Sequence, residues 1–284
     1  MIQLGLIGYP LGHSLSPKIH TTALKLCGLE GDYSLFQIHP DDQQGLENLL
    51  ARVRNGEIHG LNVTIPHKQN VIPLLDELTP IAQSVGAVNT ISMQNGKLIG
   101  DNTDVPGFLV DLKRFLGKRK EEIGYQKLTL VLGSGGSARA VIYALVNDGW
   151  KVIISARRFE QVQELVAQFP NPDSQISGIE YSPTALQSLL PALSLIVNTT
   201  PLGMSPKINA SPWPDNLPFP SDAAVYDLIY NPIETKFVKD ARAAGRPATT
   251  SLGMLIEQAA LAFEIWTGCN PPRETLWNAM KIAD

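Results

Sequence analysis

Short apolar runs alternate with amphipathic stretches along most of the chain, and this alternation predicts an α/β fold. Leu4 to Ile7 reads as a buried strand, followed by a helix that Ser16 caps, Pro17 opens and Gly28 stops. Tyr33 to Ile38 is the next strand, and Asp41 or Asp42 caps a helix in which Leu46, Leu49, Leu50 and Val53 keep helical spacing. Gly60 to Thr64, a helix from about His67, a strand at Ala87 to Met93, an Asn95-Gly96 turn and a strand at Lys97 to Gly100 complete an α/β domain with a mostly parallel sheet.

The second half repeats the alternation more regularly. A helix from about Val105 to Leu116 leads through the charged surface connection Gly117 to Gly124 into a buried strand, Lys127 to Gly133, and an apolar helix, Ala140 to Val146. Strands at Val152 to Ser155, Leu193 to Val197 and Ala223 to Leu228, with helices at Glu160 to Phe169 and Glu234 to Ala244, predict a Rossmann-type doubly wound domain. The five prolines between Ser205 and Ser221 mark an irregular loop. Two closing helices, Leu252 to Thr267 and Arg273 to Ile282, bring no strands and must dock on something built earlier. The expected domains are therefore residues 1–104 with 252–284, and residues 105–251.

Composition narrows the class. At 284 residues, with 44% hydrophobic and 18% charged positions, the chain is long enough for two cores. A formal net charge of −4 lacks the basic excess of a nucleic-acid binder. That mild average conceals a basic stretch: residues 105–160 carry 10 basic and 5 acidic side chains, against 6 and 10 in residues 1–104. No apolar run approaches a membrane span, and the N-terminus has no signal-type pattern. Cys27 and Cys269 lie near opposite ends of the chain, without a close Cys or His partner, so neither a disulfide scaffold nor a metal centre is expected. A cytoplasmic enzyme in a reducing compartment is the expectation.

The strongest local signal follows the strand at 127–133. Gly133, Gly135 and Ala138 fit G-x-G-x-x-G/A, in which the first glycine makes the turn, the second admits a pyrophosphate and the small third residue lets helix and strand pack. Amides of Ser134, Gly136 and Ser137 at the helix start then face phosphates. After the next strand, where an NAD site places a carboxylate, the chain has Ala156-Arg157-Arg158. Two guanidiniums suit a 2′-phosphate, so NADP(H) is the expected cofactor.

Polar residues in the first half cluster at strand ends: Ser14, Ser16, Asn62, Thr64, Lys68, Asn89-Thr90 and Asp101 to Asp104. In an open α/β sheet that edge binds ligands. The five histidines form no recognisable ligand pair, and His13 and His67 read as motif neighbours without catalytic roles.

Gly8-Tyr-Pro-Leu-Gly-His-Ser-Leu-Ser-Pro17, Asn62-Val-Thr-Ile-Pro-His-Lys68, Gly86-Ala-Val-Asn-Thr90, Gly100-Asp-Asn-Thr-Asp104, the glycine turn at 133–139, Asn198-Thr-Thr-Pro-Leu-Gly-Met204, Asp227-Leu-Ile-Tyr230 and Ser251-Leu-Gly-Met-Leu-Ile-Glu-Gln258 together resemble the shikimate dehydrogenase family, in the family's order and over nearly the whole chain. The resemblance implies reversible NADPH-dependent reduction of 3-dehydroshikimate to shikimate. The expected partner is a small-molecule substrate, with no nucleic acid or membrane, for a monomer or homodimer. The resemblance also implies that Ser14 and Ser16, assisted by Tyr230, hold the substrate carboxylate, and that Thr64, Asn89, Asp104 and Gln258 bind the ring hydroxyls. Lys68 and Asp104 would be the catalytic pair. Ala156, Arg157, Arg158, Thr199, Thr200, Leu228, Gly253 and Met254 would line the cofactor. At 156–158 the family often shows Asn-Arg-Thr, from which this chain departs. A hydride delivered to a ketone leaves an alkoxide, which needs a proton and a nearby positive charge; Lys68 can supply both. A quinate or dual-specificity dehydrogenase shares most of these motifs, and a non-catalytic nucleotide-sensing module is a rival of another class.

Overall fold

The computed structural model describes residues 1–12, 14–117, 127–169 and 175–281. The connection read at Gly117 to Gly124 falls beyond Gly117 outside the described residues, as does His13. The chain divides into two compact units, Met1–Gly107 with Leu255–Asp284, and Phe108–Met254.

The first unit is a six-stranded sheet built from β1 (Ile2–Gly8), β2 (Gly31–Gln37), β3 (Gly60–Val63), β4 (Glu77–Leu78), β5 (Thr90–Gln94) and β6 (Lys97–Asp101), in the order β2-β1-β3-β5-β6-β4. Only β5 runs against its neighbours, opposite both β3 and β6. Its first residue therefore lies beside the carboxyl end of β3, with Asn62 opposite Thr90, and beside the end of β6, with Thr90 opposite Asp101. This reversal gathers the polar residues of three separate motifs at one sheet edge. Helices α1 (Ser16–Leu26), α2 (Gln43–Arg54) and α3 (Pro80–Val85) flank the sheet, and α4 (Asp104–Leu116) starts in this unit. Asp42 caps α2 by accepting the Gly45 amide at 2.9 Å, and Leu46, Leu49, Leu50 and Val53 of that helix join Ile7, Leu61, Val88, Ile91 and Leu98 in the core. Burial of each such side chain is worth about 1.5–3 kcal/mol.

The second unit is a wholly parallel sheet with helices between its strands. In chain order it comprises β7 (Leu128–Leu132), α5 (Gly136–Asn147), β8 (Lys151–Ala156), α6 (Phe159–Gln168), β9 (Ile176–Glu180), α7 (Pro183–Leu189), β10 (Leu195–Asn198), β11 (Ala224–Asp227), α8 (Lys236–Ala243) and β12 (Ala248–Thr250). Their spatial order, β12-β11-β10-β7-β8-β9, reverses direction at β7 and β10, which is the doubly wound arrangement of a dinucleotide-binding domain. Two helices close the chain, α9 (Leu252–Thr267) and α10 (Arg273–Lys281). They supply the docking expected of them. α10 packs on α1, and Trp266 of α9 lies so close over Gly60 that a Cβ there would collide with the indole, whose Nε1 donates to the Ile91 carbonyl at 3.0 Å.

Several local expectations need correction. No α-helix starts at His67. Residues 65–71 form consecutive turns that end in a single 3-10 turn, Ile72–Leu74, because Pro73 withholds an amide that a helix from His67 would need. The strand placed at Ala87 to Met93 starts only at Thr90, since the Val88 amide goes to the Lys68 carbonyl and the Ala87 carbonyl to Asn102 Nδ2, both outside the sheet. Ser16 is the first residue of α1 rather than its cap, and the Ser14 hydroxyl accepts the Ser16 amide at 3.2 Å.

Cys27 and Cys269, expected to stay apart as thiols, are joined by a disulfide across a sequence separation of 242, with Cα atoms 6.4 Å apart. Sequence distance conceals this pairing because α10 returns the chain end to α1, and Cys27 immediately follows that helix. A cross-link that closes so long a loop restricts the unfolded chain most, by up to about 5 kcal/mol in the chain-entropy account. Denaturant unfolding of the oxidised protein should therefore have a higher midpoint than that of the reduced protein or Cys27→Ser; superimposable curves would show that the bond contributes nothing.

Candidate active site

In the first unit, Lys68 and Asp104 meet. The Lys68 ammonium Nζ lies 2.6 Å from Asp104 Oδ2, and the two residues are 8% and 5% exposed. Their placement follows from the fold. Lys68 sits in the turns after β3, where its carbonyl accepts the Val88 amide at 2.7 Å, and Asp104 opens α4, where the helix dipole favours a carboxylate. Asn89 Nδ2 donates to the other oxygen of Asp104 at 3.0 Å and also faces Thr103 Oγ1 at 2.9 Å and Gln258 Oε1 at 3.3 Å. Gln258 is fixed in turn by donating Nε2 to the Leu255 carbonyl at 2.9 Å.

Ser14, Ser16 and Thr64 lie after the same carboxyl ends, the serines beyond β1 and Thr64 beyond β3, where its amide donates to the Ile7 carbonyl at 2.8 Å. Seven of the sequence-predicted residues, Ser14, Ser16, Thr64, Lys68, Asn89, Asp104 and Gln258, thus belong to one unit and one sheet edge. Tyr230 belongs to the other unit, and burial pushes its phenol above the ordinary range. His67 serves structure, its Nε2 2.7 Å from the Ile38 carbonyl.

In the second unit the turn between β7 and α5 has the features a bound phosphate requires. Gly133 has φ +117°, and a Cβ there would collide with Thr199 Oγ1, so only glycine fits. Gly135 is the N-cap of α5, no side chain caps the helix, and a Cβ at this position would meet nothing within 4 Å. A helix start without a side-chain cap, with open space at Gly135, suits a pyrophosphate. Ala138 is fully buried against the sheet. Ser134 Oγ lies 3.3 Å from Gln161 Oε1. Ala156 ends β8, beside β7, and the Arg157 and Arg158 that follow are exposed. Thr199 donates both its amide and its hydroxyl to the Leu132 carbonyl, at 2.9 and 2.7 Å. These residues fit a dinucleotide with a further phosphate near the end of β8.

Two buried carboxylates in this unit escaped the sequence reading. Asp111 of α4 accepts from Tyr226 Oη at 2.6 Å, from the Met254 amide at 2.9 Å and from Arg114 at 2.5 Å, so it ties the start of α9 to β11. A Cβ at Gly253 would collide with Asp111, which gives that glycine a packing reason beside its motif role. Asp227, at the end of β11, accepts from Asn198 Nδ2 at 2.8 Å, Thr235 Oγ1 at 2.6 Å and the Ile229 amide at 3.1 Å. Asn198 Oδ1 in turn accepts the Thr200 amide at 2.9 Å and hydroxyl at 2.7 Å, and its backbone carbonyl accepts the Leu228 amide, so Thr200 and Leu228 are set by this pair. Both carboxylates sit inside β-α stretches, where their spacing gives no signal; only the motifs Asn198-Thr-Thr and Asp227-Leu-Ile hint at the second.

Among the described residues no group of His, Cys, Asp and Glu could hold a metal, and no helix is long and apolar enough to cross a membrane. A two-unit α/β chain with a dinucleotide-binding sheet and a buried lysine–carboxylate pair on a second sheet edge has the parts of a nicotinamide-dependent oxidoreductase. Comparison with known proteins makes the assignment particular. The shikimate dehydrogenase substrate binding domain matches residues 6–91 and the shikimate 5′-dehydrogenase C-terminal domain residues 252–281. A shikimate dehydrogenase (NADP+) of Carboxydothermus hydrogenoformans is 40% identical, covering 98% of this chain and 96% of its own. The shikimate 5-dehydrogenase of Thermus thermophilus, solved with NADP(H) and shikimate, superposes with TM-score 0.83 at 35% identity, covering 99% of both chains. A quinate dehydrogenase of Corynebacterium glutamicum with NAD superposes with TM-score 0.84 at 31% identity over 99% and 98%. The chain belongs to the shikimate dehydrogenase family.

Burial raises the Asp227 carboxyl to about 6, against the opposing bonds from Thr235, Ile229 and Asn198. With the unfolded value at 3.8, the folded state binds one more proton between about pH 4 and 6. Its contribution is present below that window and is lost as pH rises through it, by on the order of 3 kcal/mol. The stability of Asp227→Asn, which does not titrate in this range, should therefore gain on the wild type from pH 4 to 6.5 in urea titrations. Parallel curves would place the Asp227 titration elsewhere.

Proposed function

We propose that this protein catalyses the reversible NADP(H)-dependent reduction of 3-dehydroshikimate to shikimate. The observation that carries the reading is the buried 2.6 Å contact between Lys68 Nζ and Asp104 Oδ2 at a ligand-binding sheet edge, in a chain of this family. Residues 1–104 and 252–284 would form the substrate domain and residues 105–251 the cofactor domain.

When bound, NADPH supplies the hydride. The glycine turn at 133–138 would cradle its pyrophosphate, Arg157 and Arg158 would hold the 2′-phosphate, and Thr199, Thr200, Leu228, Gly253 and Met254 would line the rest. Ser14 and Ser16, with Tyr230, would bind the substrate carboxylate, and Thr64, Asn89, Asp104 and Gln258 its hydroxyls. Lys68 donates a proton from Nζ to the oxygen that becomes the alcohol, and its charge stabilises that oxygen while negative charge builds. Asp104 aims the ammonium and accepts a substrate hydroxyl. In the reverse direction Lys68 takes the proton back. We place the reaction in the cytoplasm, with a monomeric or homodimeric enzyme.

Lys68→Ala should lower kcat by about 10² to 10⁴ with a modest change in KM, the usual worth of general acid catalysis. Turnover near the wild-type rate would remove Lys68 from the mechanism. Nicotinamide absorbance, with shikimate or quinate crossed against NADP or NAD, tests the substrate and cofactor together: shikimate with NADP should be the fastest pair, and quinate with NAD would mark a quinate dehydrogenase. Arg157→Ala should raise the KM for NADPH far more than that for NADH; equal effects would show that Arg157 does not read the 2′-phosphate.

A further inference from the structure

Behind Asn89 lies a set of buried polar side chains that the proposed mechanism does not use. Asn89 Oδ1 accepts the Thr103 amide at 2.7 Å and the Thr90 hydroxyl at 3.0 Å. The Thr103 amide can only donate, so this end of the carboxamide is oxygen, and the Nδ2 end is thereby turned to Asp104. Thr90 Oγ1, having given its proton to Asn89, lies 3.5 Å from Asn62 Nδ2, which also donates to the Asn89 carbonyl at 3.3 Å. Asn62 is oriented by Tyr33, whose hydroxyl donates to Asn62 Oδ1 at 2.8 Å. Tyr33 is held by the parallel imidazole of His20, with ring centroids 4.4 Å apart, and burial lowers the pKa of that ring to about 3, so it stays neutral. Tyr33, Asn62, Thr90, Asn89 and Asp104 are all at most 7% exposed.

With the Thr90 hydroxyl turned to Asn89 rather than to Thr103 Oγ1, 3.2 Å away, every donor in this series points the same way, from Tyr33 to Asn62, to Thr90, to Asn89 and then to the Asp104 carboxylate. In a water-excluded site such a series is polarised toward its charged end, and removing one donor loses a buried hydrogen bond. We propose that Thr90, supported by Asn62 and Tyr33, is a positioning residue that sets the Asn89 carboxamide and, through it, the substrate-facing geometry of Asp104. The proposal rests on the reading of Asn89 and Asp104 as substrate ligands. Thr90 touches neither substrate nor cofactor and acts through Asn89.

The test is steady-state kinetics of Thr90→Val, Thr90→Ser and Tyr33→Phe beside the wild type, with thermal melting of each. In Thr90→Val the KM for shikimate should rise and kcat/KM for shikimate should fall about tenfold, the scale of one lost buried hydrogen bond, while the KM for NADP stays put. Thr90→Ser, which keeps the oxygen, should recover most of the loss. Tyr33→Phe should lower kcat/KM in the same direction by less, and adding it to Thr90→Val should cost almost nothing further, because both act on one series. A Thr90→Val enzyme with wild-type kcat/KM for shikimate, or one whose KM for NADP rises as much as that for shikimate, overturns the inference. If Thr90→Val does not fold, a Thr90→Ser as impaired as Thr90→Ala, or a Tyr33→Phe with unchanged kcat/KM, does so instead. A wild type that oxidises no shikimate overturns the functional reading itself, whereas active wild type with unaffected variants overturns this inference alone.

Discussion

The site depends on one constraint: an ammonium and a carboxylate have been taken out of water together. Lys68 and Asp104 are almost fully buried, and an ion pair so placed forfeits hydration that its mutual attraction repays only with good geometry and further partners. Those partners account for much of the local architecture. Asp104 receives Asn89 on its second oxygen and stands at the first turn of α4, so both the amide and the helix dipole stabilise its charge. Asn89 can serve only because β5 runs antiparallel and starts where β3 and β6 end. A parallel strand in that position would place Asn89 at the opposite edge.

The second unit solves a different problem with the same economy of means. Its glycine turn leads into a helix start without a side-chain cap, and what must be controlled is the shape of the loops around it. Buried carboxylates do this. Asp227 gathers Asn198, Ile229 and Thr235, while Asp111 gathers Tyr226, Arg114 and the first turn of α9. Asp227, like the buried Asp104 of the first unit, lies outside residues 105–160, so the acidic excess there is partly internal. Some of it organises loops, while the basic stretch supplies the two exposed guanidiniums that follow β8.

The layered organisation was legible because it is written in period and punctuation. Apolar runs broken by caps and glycines give the strands and helices, and a glycine turn between strand and helix locates the start of the doubly wound sheet. Short elements were not legible. β9, in which only Ile176 is buried, and β12, with three residues, are strands only because a neighbouring strand supplies hydrogen bonds. Long-range closure was not legible either, and the Cys27–Cys269 bond is its clearest case, since a periodic pattern says nothing about which helices share a face. In the site, Lys68, Asp104 and Asn89 stand in motifs at strand ends, where chemistry is expected. Thr90 and Tyr33 occupy strand positions that β propensity alone would fill, so their polar role appears only when the register sets Asn62 opposite Thr90.

Gly253 shows why motif and mechanism have to be argued separately. The family resemblance assigns this glycine to the cofactor, and open backbone beside a nicotinamide is a sufficient reason for having no side chain. The structure gives another sufficient reason, because a Cβ there would collide with the Asp111 carboxylate that holds the Met254 amide. Gly133 likewise combines a left-handed φ with a close approach to Thr199. At such positions a substitution would disturb packing before it reached any ligand, so a loss of activity would not distinguish the two reasons. Lys68 differs. Its backbone lies in turns, and its ammonium is paired with a carboxylate away from water. A long cationic side chain costs desolvation where a shorter neutral one would not, so packing alone does not account for its presence at a buried sheet edge.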